Sequence, residues 1–267
     1  MTYTIHASGD ISGAILFIII ALLVAAVGVG ALIWEKRRRD ALIALAHRLG
    51  LTFYKRDAFG IPAAYGDTRL CSQGHSKRAY NIIAGDFGGG DIRYFDYKYT
   101  VGSGKNSHTY YRSACALHLP YAFTGLIVRP ESFLDKAAGL IGFDDIDLDH
   151  AEFNNRFFVK CQDKKFAYDV LNQRAMEFFL ARRGITLEMR WNYLLMNYSK
   201  RLSLQEIEHL ISDAAAFSCL LPHYLKKDRE LTRAAPSGTP PGSGRGTSDR
   251  LSAGIKGIIP SRRRPSS

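Results

Sequence analysis

AYNIIAGDFGGGDIRYFDYKYTV, residues 79–101, sets two runs of strand-forming side chains around a glycine triplet. Isoleucine, tyrosine, phenylalanine and valine are spread along both arms, as in strands that pack on at least one face. Glycine tolerates positive φ, so FGGG between the arms reads as a tight hairpin turn. A hairpin at this position commits the neighbouring chain to an antiparallel sheet.

Working outward, residues 51–54, 68–71, 110–119 and 125–129 are also strand-like, separated by Gly, Ser, Asn and Pro. Pro130 ends the run, because proline removes a ladder donor, and residues 132–138 read as a short helix. Beyond them, 156–161 is a strand. Asp163 can cap a helix running to about Arg183, with Gly184 at its end. Residues 185–191 and 193–198 read as a second hairpin. Ser203 and Glu206 form an S-x-x-E capping box ahead of a helix carrying Leu204, Ile207, Leu210, Ile211 and Ala214 at helical spacing. The strand–helix alternation is too irregular for a doubly wound sheet. The expected class is α+β: a mostly antiparallel sheet with helices packed on it, spanning residues 51–225.

Upstream lies AILFIIIALLVAAVGVGALIW, which begins at Ala14, ends at Trp34 and holds no charge. About 20 apolar residues cross the hydrocarbon of a bilayer, so residues 14–34 read as a transmembrane helix, with Trp34 at the lipid–water interface. A cleaved signal peptide fits poorly: the apolar run is too long, and residues 1–13 carry Asp10 but no Lys or Arg. Lys36, Arg37, Arg38 and Arg39 follow the span at once. By the positive-inside rule this cluster is cytoplasmic, so the short N-terminus faces outward and the rest of the chain lies at the inner face of the cell membrane. The same four residues are placed for contact with anionic lipid, at about 1 kcal/mol each. Residues 35–50 continue as a juxtamembrane helix, with Leu42, Leu45, Ala46 and Leu49 on one face and Gly50 as its stop.

Most of the formal net charge of +11 comes from this cluster and from a tail ending in SRRRPSS, with mixed charge between them. Residues 228–267 lack core signals, and AAPSGTPPGSGRGT within them is the composition of a disordered segment. The four cysteines, Cys71, Cys115, Cys161 and Cys219, are widely spaced, and in a reducing compartment no structural disulfide is expected.

Two stretches resemble a known group. FDYKYTVGSGK (residues 95–105) and RPESFLDKAAGLIGFDDIDLDHAEFNNRFFV (residues 129–159) are similar to a family of bacterial proteins with one N-terminal membrane helix and a cytoplasmic domain of unknown function. The resemblance runs over roughly residues 10–225. It implies a single-pass architecture and no particular chemistry.

The sharpest candidate site is FDDIDLDH, residues 143–150. As a calcium loop starting at Asp145 it fails, with His150 where Gly is needed and Arg156 where a bidentate Glu is needed. A looser divalent-cation site remains, with Asp144, Asp145, Asp147 and Asp149 as ligands for Mg²⁺ or Ca²⁺. An extended chain puts 145, 147 and 149 on one side, and their repulsion would be relieved by the ion. The competing reading is structural. Ile146 and Leu148 alternate with the acids, as on a half-buried edge strand. Paired-carboxylate catalysis is a third reading.

GSGKN (residues 102–106) lacks the Walker spacing and reads as a hairpin tip. The Cys–His pairs 71/75, 115/118 and 219/223 lack tight zinc spacing, and Cys115 and His118 fall on opposite strand faces. Tyr94, Phe95, Tyr97 and Tyr99, opposite Tyr110 and Tyr111, are not interleaved with a strong basic stripe. They read as cross-strand packing, not a platform for nucleic acid. The function expected is a membrane-anchored binding or scaffolding module with an unidentified protein partner. The alternatives are a metal-dependent enzyme, such as a hydrolase, using the acidic cluster, and anionic lipid or nucleic-acid binding through the basic tail.

Overall fold

The computed structural model describes residues 8–131, 146 and 148–228. It is α+β. A single helix, α1 (Ser8–Arg48), leads into a six-stranded antiparallel sheet. The strands are β1 (Thr52–Arg56), β2 (His75–Phe87), β3 (Gly90–Val101), β4 (His108–Pro130), β5 (Phe157–Cys161) and β6 (Ile185–Tyr198). β1, β2, β3 and β4 pair in sequence order, and β4 continues past the end of β3 to pair with β5. Its other edge takes β6 along most of its length.

The hairpin of residues 79–101 joins β2 to β3. Phe87 pairs with Gly90, and Gly88 and Gly89 sit between them at φ 61° and 84°. Two successive positive φ values make the primed turn whose twist matches that of the strands.

The sheet is covered on both faces. On one, Ile83, Ile92, Tyr94, Cys115 and Leu117 pack with Leu42, Leu45 and Ala46 of α1 and with Ile207, Leu210 and Ile211 of α7 (Leu204–Leu220). On the other, Ile82, Phe95, Tyr97, Ala114 and Leu195 pack under Ile61 of α2 (Ile61–Ala64), Tyr65, and Leu70 and Cys71 of α3 (Arg69–Ser72). That is why Tyr94 and Phe95, on opposite faces of β3, are both fully buried. The aromatic run is therefore core. Tyr99 pairs with Tyr110 across the strands with their rings 5.4 Å apart.

α1 is both candidate span and core helix. Its apolar part leaves large side chains such as Phe17, Leu22 and Val27 exposed, and it is long and apolar enough to cross a membrane. Its last turns bury Leu42, Leu45 and Ala46 and stop at Gly50, φ 68°. Each such leucine contributes about 1.5–3 kcal/mol by leaving water.

Four expectations about elements need correction. Residues 68–71 are not a strand. Thr68 caps α3, its side chain accepting from the N–H of Cys71. The runs 110–119 and 125–129 are arms of one strand, β4, whose register shifts between His118 and Phe123, around Pro120. The helix expected from Asp163 to 183 is broken in two: α5 (Lys164–Val170) and α6 (Gln173–Leu180), with Asn172 accepting from the N–H of Ala175 and restarting the helix. Residues 185–198 are not a hairpin. Both halves pair with β4, and Trp191, at φ 49°, forms a bulge instead of a reversal. A short helix, α4 (Ala151–Arg156), precedes β5, and α8 (His223–Asp228) follows α7. The Ser203–Glu206 capping box is present in full. Residues 132–138 and the tail beyond 228 lie outside the described residues.

Candidate functional site at the foot of the apolar helix

Of the acidic cluster, Asp144, Asp145 and Asp147 lie outside the described residues. Asp149 is exposed, while Ile146 and Leu148 are buried in the core. The Ile146 N–H donates to the Val159 carbonyl at 3.2 Å, and Asn154 brackets Leu148 through both its N–H and its C=O. His150 is the N-cap of α4, its Nδ1 accepting from the Phe153 N–H. Among the described residues no three His, Cys, Asp or Glu side chains converge as a metal site. GSGKN is the tip of the β3–β4 hairpin. Cys115 is buried on the α1 face, whereas His118 contacts Tyr65 and Tyr193 on the other.

The arrangement that stands out lies where α1 leaves its apolar segment. Asp96, in the middle of β3, is completely buried on the α1 face. Its carboxylate receives five donors. Arg38 of α1 donates to Oδ1 at 3.1 Å and to Oδ2 at 3.2 Å. The Tyr94 hydroxyl donates to Oδ1 at 2.6 Å and Ser113 Oγ to Oδ1 at 2.9 Å. Asn81 Nδ2 donates to Oδ2 at 3.1 Å and Arg201 Nε to Oδ2 at 3.4 Å. Asn81 reaches it because β2 bulges there, with Asn81 at φ 51°. A buried carboxylate is tolerable only when its lone pairs are filled and its charge is matched, and both conditions are met. Burial and the adjacent Asp96 push the Tyr94 phenol well above its usual range, so it remains a donor.

The network reaches back to the helix twice. Arg38 Nη1 donates to the Leu202 carbonyl at 2.7 Å, and the Leu202 N–H donates to Ser113. Arg201 forms a fork with Glu35, at 2.5 and 3.0 Å, and its guanidinium lies over the rings of Trp34 (5.3 Å) and Tyr80 (5.7 Å). The hydrogen bond from Arg201 holds the Glu35 carboxyl below its usual range. The last aromatic residue of the apolar run and the first charged one thus touch the same residue of the domain. The expected lipid contact of Arg38 needs correction. Its side chain is only 8 % exposed and belongs to the fold. Lys36 and Arg37 are exposed.

Beside this junction is a cleft of about 360 Å³, lined by Glu35 and Arg39 of α1, Lys55 and Arg56 of β1, Arg78, Tyr80 and Asn81 of β2, Lys98 of β3 and Tyr111 of β4. The register explains the grouping. Arg56 pairs with Tyr80, Arg78 with Lys98, and Lys98 with Tyr111, so one transverse strip of the sheet carries them. No sequence motif announces this cleft, because its cations come from four separate segments.

Comparison with known proteins adds little. No protein-family model and no curated protein sequence matches the chain. One solved structure is similar, the crystal structure of the mycobacterial trehalose monomycolate transport factor A, TtfA. It is 15 % identical, covers 70 % of this chain and 95 % of its own, and superposes with a TM-score of 0.46.

Proposed function

We propose that the protein is a single-pass membrane module that holds its α+β domain in one fixed pose against the cytoplasmic face of the bilayer and acts there by binding. The observation that carries this reading is the buried Asp96 network. It joins the sheet to α1 within four residues of Trp34, through Arg38, and again through Arg201 and Glu35. A flexible tether would leave the domain free to turn. A continuous helix with a buried ion cluster at its exit gives the domain no independent rotation. The basic residues that follow Trp34 favour the inner side. A pose fixed this closely serves a partner or ligand that is itself located at the membrane.

Sidedness is tested with the chain's own thiols. Cys219 is exposed, while Cys71, Cys115 and Cys161 are buried. A membrane-impermeant maleimide should label Cys219 only after the cells are permeabilised. Labelling in intact cells, absent from Cys219→Ser, would put the domain outside and end this reading.

A further inference from the structure

We infer that the cleft beside Asp96 is a binding site for the phosphate of an anionic phospholipid headgroup. The inference rests on the membrane placement proposed above, though not on its sidedness.

Three observations converge. The first is charge. Arg39, Lys55, Arg56, Arg78 and Lys98 line one concavity, and among the described residues none of them has a carboxylate within ion-pair distance. The one acid in the wall, Glu35, is already taken by the Arg201 fork. Five like charges facing one space repel one another, and an anion relieves that repulsion. Three of them are arginines, whose planar donors match phosphate oxygens two at a time.

The second is height. Trp34 marks the lipid–water interface, and the headgroup layer beyond the hydrocarbon is about 5–8 Å thick. At about 1.5 Å per residue, Glu35 and Arg39 lie roughly 1.5 and 7.5 Å past Trp34 along the helix. The wall contributed by α1 therefore spans the headgroup layer, and the strand residues lining the same cleft meet it there.

The third is shape and donor set. A volume of about 360 Å³ suits a headgroup more than a polymer. Two tyrosines, Tyr80 and Tyr111, add hydroxyls beside the cations, as interfacial aromatic residues do. Lys36 and Arg37 differ. They are exposed on the helix and do not line this cleft, so they supply general attraction to the surface.

The test uses the full chain in nanodiscs of mixed phosphatidylglycerol and phosphatidylcholine, where both leaflets have the same composition. Native mass spectrometry reads how many lipids of each kind stay bound on release. The wild type should retain phosphatidylglycerol preferentially. Each cation at an anionic surface is worth about fivefold, so Arg56→Gln, Arg78→Gln and Lys98→Gln together should reduce that preference roughly a hundredfold. Lys36→Gln with Arg37→Gln should leave most of it. If the triple variant does not fold, Lys98→Glu alone should abolish the preference by repulsion. Three results would overturn the inference: no preference in the wild type, a preference that the triple variant keeps, or displacement of the lipid from the wild type by inorganic phosphate. A chain that fails to enter the discs at all would instead defeat the membrane placement.

Discussion

Asp96 decides the fate of two elements. Replacing it with alanine removes the one carboxylate that pairs with the buried Arg38 guanidinium, whereas Arg201 keeps its fork with Glu35. Breaking a buried pair in this way costs about 3–5 kcal/mol. Asp96→Ala should therefore lower the stability of the domain by that amount in denaturant titration. A loss under about 1 kcal/mol would mean that the network contributes little.

His118 makes a second prediction at this scale. One tautomer satisfies both of its contacts: Nδ1–H donates to the Asp91 carbonyl, and Nε2 accepts from the Tyr65 hydroxyl. Burial, reinforced by the Arg93 charge, lowers its pKa to about 4. In the unfolded chain the ring takes up a proton near pH 6.5. Between those values the unfolded state binds the extra proton, so stability falls as the pH drops from about 6.5 to 4 and levels off below that. The loss is about 3 kcal/mol. Glu188 works in the opposite sense, because burial raises its pKa and its share of stability declines as the pH rises through that raised value. His118→Gln should flatten the acid limb of the stability–pH curve while the Glu188 contribution remains. An unchanged acid limb would assign the effect elsewhere.

Among the elements, the β2–β3 turn separates two costs that are usually mixed. Gly88 and Gly89 both have positive φ, yet a Cβ on Gly88 would stand 2.3 Å from the Cβ of Ala215 in α7, while one on Gly89 would meet nothing within 4 Å. Gly89→Ala should cost about 1 kcal/mol, the left-handed penalty alone. Gly88→Ala should cost about 1–3 kcal/mol more by overpacking against the helix. Equal thermal shifts for the two would contradict the packing of α7 on this turn. The turn itself was legible, since three glycines between aromatic arms admit few alternatives. So were the capping box at Ser203 and the Gly50 stop, each carried by a residue type with a single local use. Of the four misread elements, two were decided by local caps, at Thr68 and Asn172, and two by distant strand pairing. Thr68 looks like a strand residue until the cap it makes for α3 is seen. Residues 185–191 and 193–198 are strand-like, and only the length of β4 shows that they lie end to end on it instead of against each other. Asn172 could have been read as a helix restart, because an asparagine three residues before an alanine in an otherwise helical run is a capping signal.

At the scale of the whole molecule, the candidate span and the α+β class were visible in hydropathy and strand patterning. The junction and the basic cleft were not. Asp96 sits inside FDYKY as a lone acid among aromatics. Its meaning depends on Arg38, 58 residues earlier, and Arg201, 105 residues later. One hint was available: in a strand with Tyr94 and Lys98 on its face, an acid at the central position needs a cation from elsewhere. The acidic run 144–149 is conspicuous because its charges are adjacent in sequence, yet its two described apolar residues, Ile146 and Leu148, are core, and the cations that converge are scattered.

The central claim is that helix and domain move as one body at the membrane surface. The most direct measurement is energy transfer in vesicles holding the full chain, from a donor on Cys219 to acceptors on lipid headgroups, read as a distribution of lifetimes. A flexible Gly–Ser insertion between Glu35 and Lys36 serves as the loosened control. The account predicts one narrow distance for the wild type and a broad one for the insertion. A wild-type distribution as broad as that of the insertion would show the domain swinging on a tether, and the fixed pose would be wrong.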